Sequence, residues 1–171
     1  QEAYASDDYP GGDSVTPQWE DLRRTLASKG YQRALTGTDG LYSYSQCGES
    51  GCWKDEYQLD GNHIFYKASA VKPVGNGGKF SLPNPDNRGS GYTASWQVFE
   101  KLDGSHARFV AVNTHLYSAG ITQRGVYEER RVAQASAILS TLRNNSASAG
   151  LPVVLLGDLN SHEGHGPVST L

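Results

Sequence analysis

Apolar positions recur along this chain at two spacings, one helical and one extended. Trp19, Leu22 and Leu26 stand three and four residues apart, one face of a helix. Thr16-Pro17 reads as its N-cap followed by a first-turn proline, and Gly30 as its terminator. A second helix is predicted from Tyr127 to Leu142, striped by Val132, Ala135, Ile138, Leu139 and Leu142. Glu128 and Glu129 fall in its predicted first turn, where carboxylates suit the helix dipole. Strands are expected over residues 62–67, 93–102, 108–116 and 152–156, the middle two joined as a hairpin through Asp103-Gly104. Phe109-Val110-Ala111-Val112 is apolar at every position, as in a strand covered on both faces. Residues 31–52 are turn-rich and suggest no definite element. Residues 72–91, crowded with Gly, Pro and Asn, read as a long loop, either functional or a tolerated insertion. Helices alternating with strands buried on two faces call for an α/β fold with helices packed outside sheets.

The 171 residues are 37% apolar, enough for the core of a single domain. No apolar run approaches the roughly 18 residues that a membrane span needs. A net charge of −3 provides no basic field for gripping a polyanion. The chain holds no Met, so Gln1 reads as a processed or internal start, and a missing signal peptide says nothing about export. Its two cysteines stand together in Cys47-Gly48-Glu49-Ser50-Gly51-Cys52. Glycines let so short a loop curl into disulfide geometry, which would place the protein in an oxidising compartment. Two free thiols are the alternative.

Chemistry gathers at two strand ends. In an extended segment Asp158 and Asn160 project to one side and Leu159 to the other, which sets a carboxylate beside a carboxamide at the end of Val153-Val154-Leu155-Leu156-Gly157. Such a pair can hold Mg²⁺ and donate to a phosphate oxygen; it can equally close the strand as an Asx-turn. His115 ends the doubly buried strand behind Asn113 and Thr114. Buried there, an imidazole requires a partner, and a carboxylate would keep it cationic near phosphate. His162-Glu163-Gly164-His165 is one residue short of the zinc pattern His-Glu-x-x-His and lies in a Gly-rich loop.

Taken in order, these motifs resemble the endonuclease/exonuclease/phosphatase superfamily, the metal-dependent phosphodiesterases that include deoxyribonuclease I and the bacterial sphingomyelinases. Gln1-Glu2 is similar to the motif whose Glu binds the metal. Asp60-Gly61-Asn62-His63-Ile64-Phe65-Tyr66 resembles a family strand, and residues 88–99 with Trp96 resemble the next one. Val112-Asn113-Thr114-His115-Leu116 is similar to the motif carrying an active-site His. Arg131, Gln134 and Ala135 resemble the intervening helix, and Gly157-Asp158-Leu159-Asn160 the following motif. The family's preceding Asn strand and its terminal Ser-Asp-His segment have no counterpart here, so the chain reads as a partial domain, inactive by itself.

The resemblance implies a four-layer α/β/β/α sandwich, with two mixed sheets face to face between outer helices. It implies a hydrolase of phosphoester bonds using Mg²⁺, with Mn²⁺ or Ca²⁺ as alternatives, held by Glu2 and Asp158. His115, Asp158 and Asn160 would be catalytic, and Asn113, Tyr117 and Asn62 candidate substrate contacts. Asp60 stands as a weaker support for His115 or metal. The expected protein is a secreted, monomeric bacterial phosphodiesterase favouring nucleic acid over lipid. Sphingomyelinase, phosphoinositide or sugar-phosphate phosphatase activity stays open, as does a non-catalytic binding domain. An aromatic or basic groove would favour nucleic acid, and the basic clustering available to one is Arg130-Arg131.

Overall fold

The structure, a computed structural model, describes residues 18–34, 42–48, 51–58, 62–84, 92–117, 124–161 and 165–171. Along these residues run α1 (Gln18–Ser28), β1 (Tyr31–Arg33), β2 (Tyr42–Gly48), β3 (Gly51–Gln58), β4 (Phe65–Lys67), β5 (Val71–Pro73) and β6 (Gly78–Leu82). Then follow β7 (Tyr92–Lys101), β8 (Arg108–His115), α2 (Arg124–Asn144), β9 (Val153–Asp158) and α3 (Gly166–Thr170). No helix among them is long and apolar enough to cross a membrane.

The main sheet is built on the expected hairpin. β7 and β8 pair antiparallel from Ala94↔Thr114 to Glu100↔Arg108, and β9 adds to β8 in parallel. Alternation along β7 and β8 divides the core in two. Ala94, Trp96, Val98, Val110 and Val112 face α2, meeting Ile138 and Leu142. Phe99 and Ala111 face the opposite way, onto Ala34 and Ile64 beside the two-stranded β1–β4 ribbon. Sheet and ribbon thus lie face to face with α2 outside, the α+β layering expected from the resemblance. β2 and β3 form a separate hairpin whose register sets Cys47 opposite Cys52. No disulfide is found among the described residues, and the bond expected there lacks support.

Several elements differ from the sequence reading. Residues 72–91 are not one long loop, because β5 and β6 both pair along one edge of β7. Edge strands tolerate Pro73 and glycine because only one side of the backbone must pair. Gly78 is also required by packing, since a Cβ there would stand 2.6 Å from Trp96 Nε1. The strand expected over residues 62–67 is regular only from Phe65. β9 extends to Asp158, but Val153, Val154 and Leu156 are exposed, so this strand is not covered on both faces. α2 begins three residues before the expected Tyr127. Glu128 therefore leaves the first turn, and its carboxylate instead accepts the Gly166 N–H at 2.8 Å. That bond, with His165 beside it, holds the Glu128 carboxyl below its usual range. Residues 162–164 of the zinc-like stretch lie outside the described residues.

Candidate active site

The parallel register of β8 and β9 ends in the pair His115↔Asp158. Two side chains 43 positions apart in sequence thereby reach the same end of the sheet, His115 Nε2 standing 3.9 Å from Asp158 Oδ2. That separation is too long for a hydrogen bond. His115 is 27% exposed and Asp158 55%, so both remain open to a ligand.

Gly157 makes this approach possible. Its φ is +123°, a conformation closed to L side chains, and a Cβ would lie 1.8 Å from the Thr114 carbonyl oxygen. Beyond Asp158 the chain turns sharply. Asp158 Oδ1 accepts the Asn160 N–H at 2.8 Å, which is the Asx-turn reading of this segment. Asn160 adopts φ +47°, and its Nδ2 donates to the Leu116 carbonyl at 2.8 Å. The Leu116 N–H donates in turn to the Asp158 carbonyl at 2.9 Å. Asp158 and Asn160 therefore do not project side by side: the left-handed turn sends the amide back to lock β9 onto the end of β8. The turn ties up one carboxylate oxygen and leaves the other beside His115.

The remaining candidates are placed around this end. Asn113 is buried, and its Nδ2 donates to the His63 carbonyl at 2.8 Å. Asn62 Nδ2 donates to the Thr93 carbonyl at 2.7 Å, and Thr114 Oγ1 to the same oxygen at 3.0 Å. These bonds fasten residues 62–64 to the start of β7 and the end of β8. Tyr117 is only 3% exposed, and its N–H donates to Gln134 Oε1 at 2.8 Å. Gln134 itself is fully buried and donates to the Pro83 carbonyl at 3.0 Å, so one amide ties the chain beyond His115 to the end of β6. Glu2 and Asp60 lie outside the described residues, as do the side chains of Cys47 and Cys52.

Between the β4 lead-in and β9 opens a cavity of about 530 Å³ lined by His63, Asn113, Gly157 and Asp158, with Ile64, Phe65 and Leu156. Its size suits a small-molecule substituent. His63 was not singled out by the sequence reading; its place in the strand-like Asn62–Lys67 stretch was the available signal. No three His, Cys, Asp or Glu side chains among the described residues converge on a metal position. Mg²⁺ takes only one or two carboxylates, filling its other positions with water and substrate phosphate. The open carboxylate of Asp158 fits the first part of such a set.

No family model and no curated protein matches this sequence. Solved structures do match it. The human Nocturnin catalytic domain, which holds a sulfate anion, aligns at TM-score 0.60 and 22% identity over 97% of this chain. An endonuclease/exonuclease/phosphatase family protein from Bacteroides thetaiotaomicron aligns at 0.57 and 22% over 90%. ANGEL2, a 2′,3′-cyclic phosphatase, aligns at 0.53 and 18% over 95%. The fold is thus that of the endonuclease/exonuclease/phosphatase proteins, as the motifs suggested. The chain spans about half or less of each match: 52%, 49% and 39% of their lengths.

Proposed function

We propose that this protein belongs to a secreted, divalent-metal-dependent phosphodiesterase that favours nucleic acid. The observation that carries the reading is the parallel β8–β9 pairing, which sets His115 and Asp158 3.9 Å apart at an accessible sheet end. The fold's neighbours support the chemical class: one holds sulfate, a tetrahedral oxyanion, and another is a cyclic phosphatase.

Asp158 has one oxygen fixed by the Asn160 N–H, so the carboxylate cannot rotate freely. It would hold the attacking water, or share a hard cation with Glu2. Mg²⁺ is the first choice for that cation, with Mn²⁺ or Ca²⁺ as substitutes, and bound there it would neutralise phosphate charge. His115, carried on a buried strand, would donate to a non-bridging oxygen as its charge grows in the transition state. Asn160 contributes by closing the turn that aims Asp158, and Asn113 by fixing residues 62–64 beside the cavity.

Turnover of DNA, RNA, sphingomyelin and phosphoinositide by the intact protein, with Mg²⁺ and then with chelator, tests this reading. Metal-dependent cleavage of a phosphodiester is expected, and His115→Ala or Asp158→Ala should each lower kcat/KM by about 10²–10⁴-fold. Turnover in either variant equal to wild type would refute the assignment.

A further inference from the structure

A phosphodiesterase site grips a charge that DNA, RNA and phospholipids share; what identifies the substrate must lie beside it. Two residues past His115, about 7 Å of extended chain, Tyr117 meets one tyrosine from β7 and one from α2. The Tyr117 ring lies 5.3 Å from that of Tyr92, at the start of β7. It lies 5.4 Å from that of Tyr127 on α2, nearly parallel at 24°. Arg130 covers both: its guanidinium carbon stands 4.9 Å from the Tyr117 ring centre and 5.5 Å from the Tyr127 ring centre. Its Nη1 donates to the Tyr117 hydroxyl at 2.7 Å. Arg131 adds a 3.3 Å hydrogen bond to the Tyr117 carbonyl.

Only Tyr117 of this group is buried, while Tyr92, Tyr127 and Arg130 are half-exposed. Tyr92 packs against the apolar core that includes Leu116, so it and the buried Tyr117 form the floor of the cluster, and Tyr127 and Arg130 lie over Tyr117. A planar cation layered on aromatic rings, with part of its surface open, is the construction that receives an unpaired base by stacking. An acyl chain would meet phenol hydroxyls and a guanidinium there, a poor surface for hydrocarbon.

We infer that Tyr127 and Arg130, backed by Tyr117 and Tyr92, form a stacking subsite for a base of single-stranded nucleic acid next to the phosphate held at His115 and Asp158. A base paired within a duplex is stacked on its neighbours and would have to leave them to occupy it. The inference rests on the phosphodiesterase reading for its orientation, but stacking itself is measurable without turnover.

The test is fluorescence-anisotropy titration of the intact protein with single-stranded DNA and RNA oligonucleotides, each beside an abasic strand of equal length and charge. Tighter binding of the base-bearing strand, by about tenfold, is expected from one stacked base. Tyr127→Ala and Arg130→Ala should each bring that ratio close to one, and Tyr127→Phe should preserve it. Lys101→Ala, at the far end of β7, should not move it. If Tyr127→Ala does not fold, Arg130→Gln supplies the same comparison. Equal affinity for base-bearing and abasic strands, or a ratio that survives both alanine variants, overturns the inference. So does Tyr127-dependent binding to sphingomyelin vesicles in place of the oligonucleotides. The DNA and RNA arms tell the two sources of a base apart. Absence of metal-dependent cleavage would refute the phosphodiesterase reading while leaving the binding ratio to decide the subsite.

Discussion

β8 and β9 run side by side in the same direction, and each delivers one member of the candidate site, yet their surroundings are opposite. Val110, Val112 and Thr114 on β8 are fully buried, whereas Val153, Val154 and Leu156 on β9 are 41–52% exposed. Their composition does not explain the contrast, since Val153-Val154-Leu155-Leu156 is as apolar as Phe109-Val110-Ala111-Val112. Position does. β8 has strands on both edges, α2 on one face and the β1–β4 side on the other. Among the described residues β9 pairs on one edge, against β8, and of its apolar side chains Leu155 packs against the core, with Leu159 just beyond. An apolar run thus specifies a strand but not how many of its sides are covered. Here the buried strand anchors the imidazole and the exposed one presents the carboxylate.

The join between the two strands is the most sensitive place to break this arrangement. Gly157→Ala would force a Cβ against the Thr114 carbonyl in a backbone conformation that alanine avoids. We expect a loss of about 3 kcal/mol in stability, together with loss of turnover, because β9 would separate from β8 and carry Asp158 away from His115. Urea unfolding and a phosphodiesterase assay on the same variant check both parts. A variant retaining stability and activity would show that the register His115↔Asp158 does not form the site.

A smaller effect separates the strands themselves. Val112→Ala on β8 should cost about 2 kcal/mol, from two methyl groups removed out of a closed core. Leu156→Ala on β9 removes more carbon from an exposed position and should cost under about 0.5 kcal/mol. Denaturant midpoints of the two variants measure the difference. Equal costs would mean that β9 is covered as fully as β8.

Which parts were legible in the sequence follows the same division. β7, β8 and α2 were readable because their burial imposes a period: Ile138 and Leu142 join the sheet's core and Ala135, one turn before, is fully buried. The shared end of His115 and Asp158 was readable through the motifs and not through periodicity, since nothing local says that residues 115 and 158 are neighbours. β5 and β6 were hidden because an edge strand is held by its neighbour's hydrogen bonds, which leaves Pro73 and Gly78 free to look like loop. The turn after Asp158 was half legible: an Asx-turn was an explicit alternative, but the left-handed conformation of Asn160 that redirects its amide to Leu116 depends on β8 being present. The tie from Tyr117 through Gln134 to Pro83 joins three elements, so no single segment carried its signal.

The smallest effect lies at the opposite end of β8, where the strand begins in an ionic cluster. Glu100 on β7 accepts from Lys72 at 2.9 Å, from His106 at 3.1 Å and from Arg108 at 3.2 Å, with its side chain only 8% exposed. The Lys72 bond foremost, then those of His106 and Arg108, hold its carboxyl down at about 2, below the usual 4.5. A carboxylate depressed in the folded state stabilises it fully above the unfolded value and loses that contribution as pH falls through the folded one. Wild type should therefore exceed Glu100→Gln in stability near neutrality, with the gap closing between about pH 4.5 and 2. Thermal unfolding of both proteins across that window measures the gap, and a constant difference throughout would remove Glu100 as its source. Turnover of the folded variant near neutrality should match wild type, because the cluster and the His115–Asp158 pair occupy opposite ends of one strand. A drop in turnover without unfolding would instead mean that β8 transmits changes along its length, and its burial would then serve the site by more than anchoring.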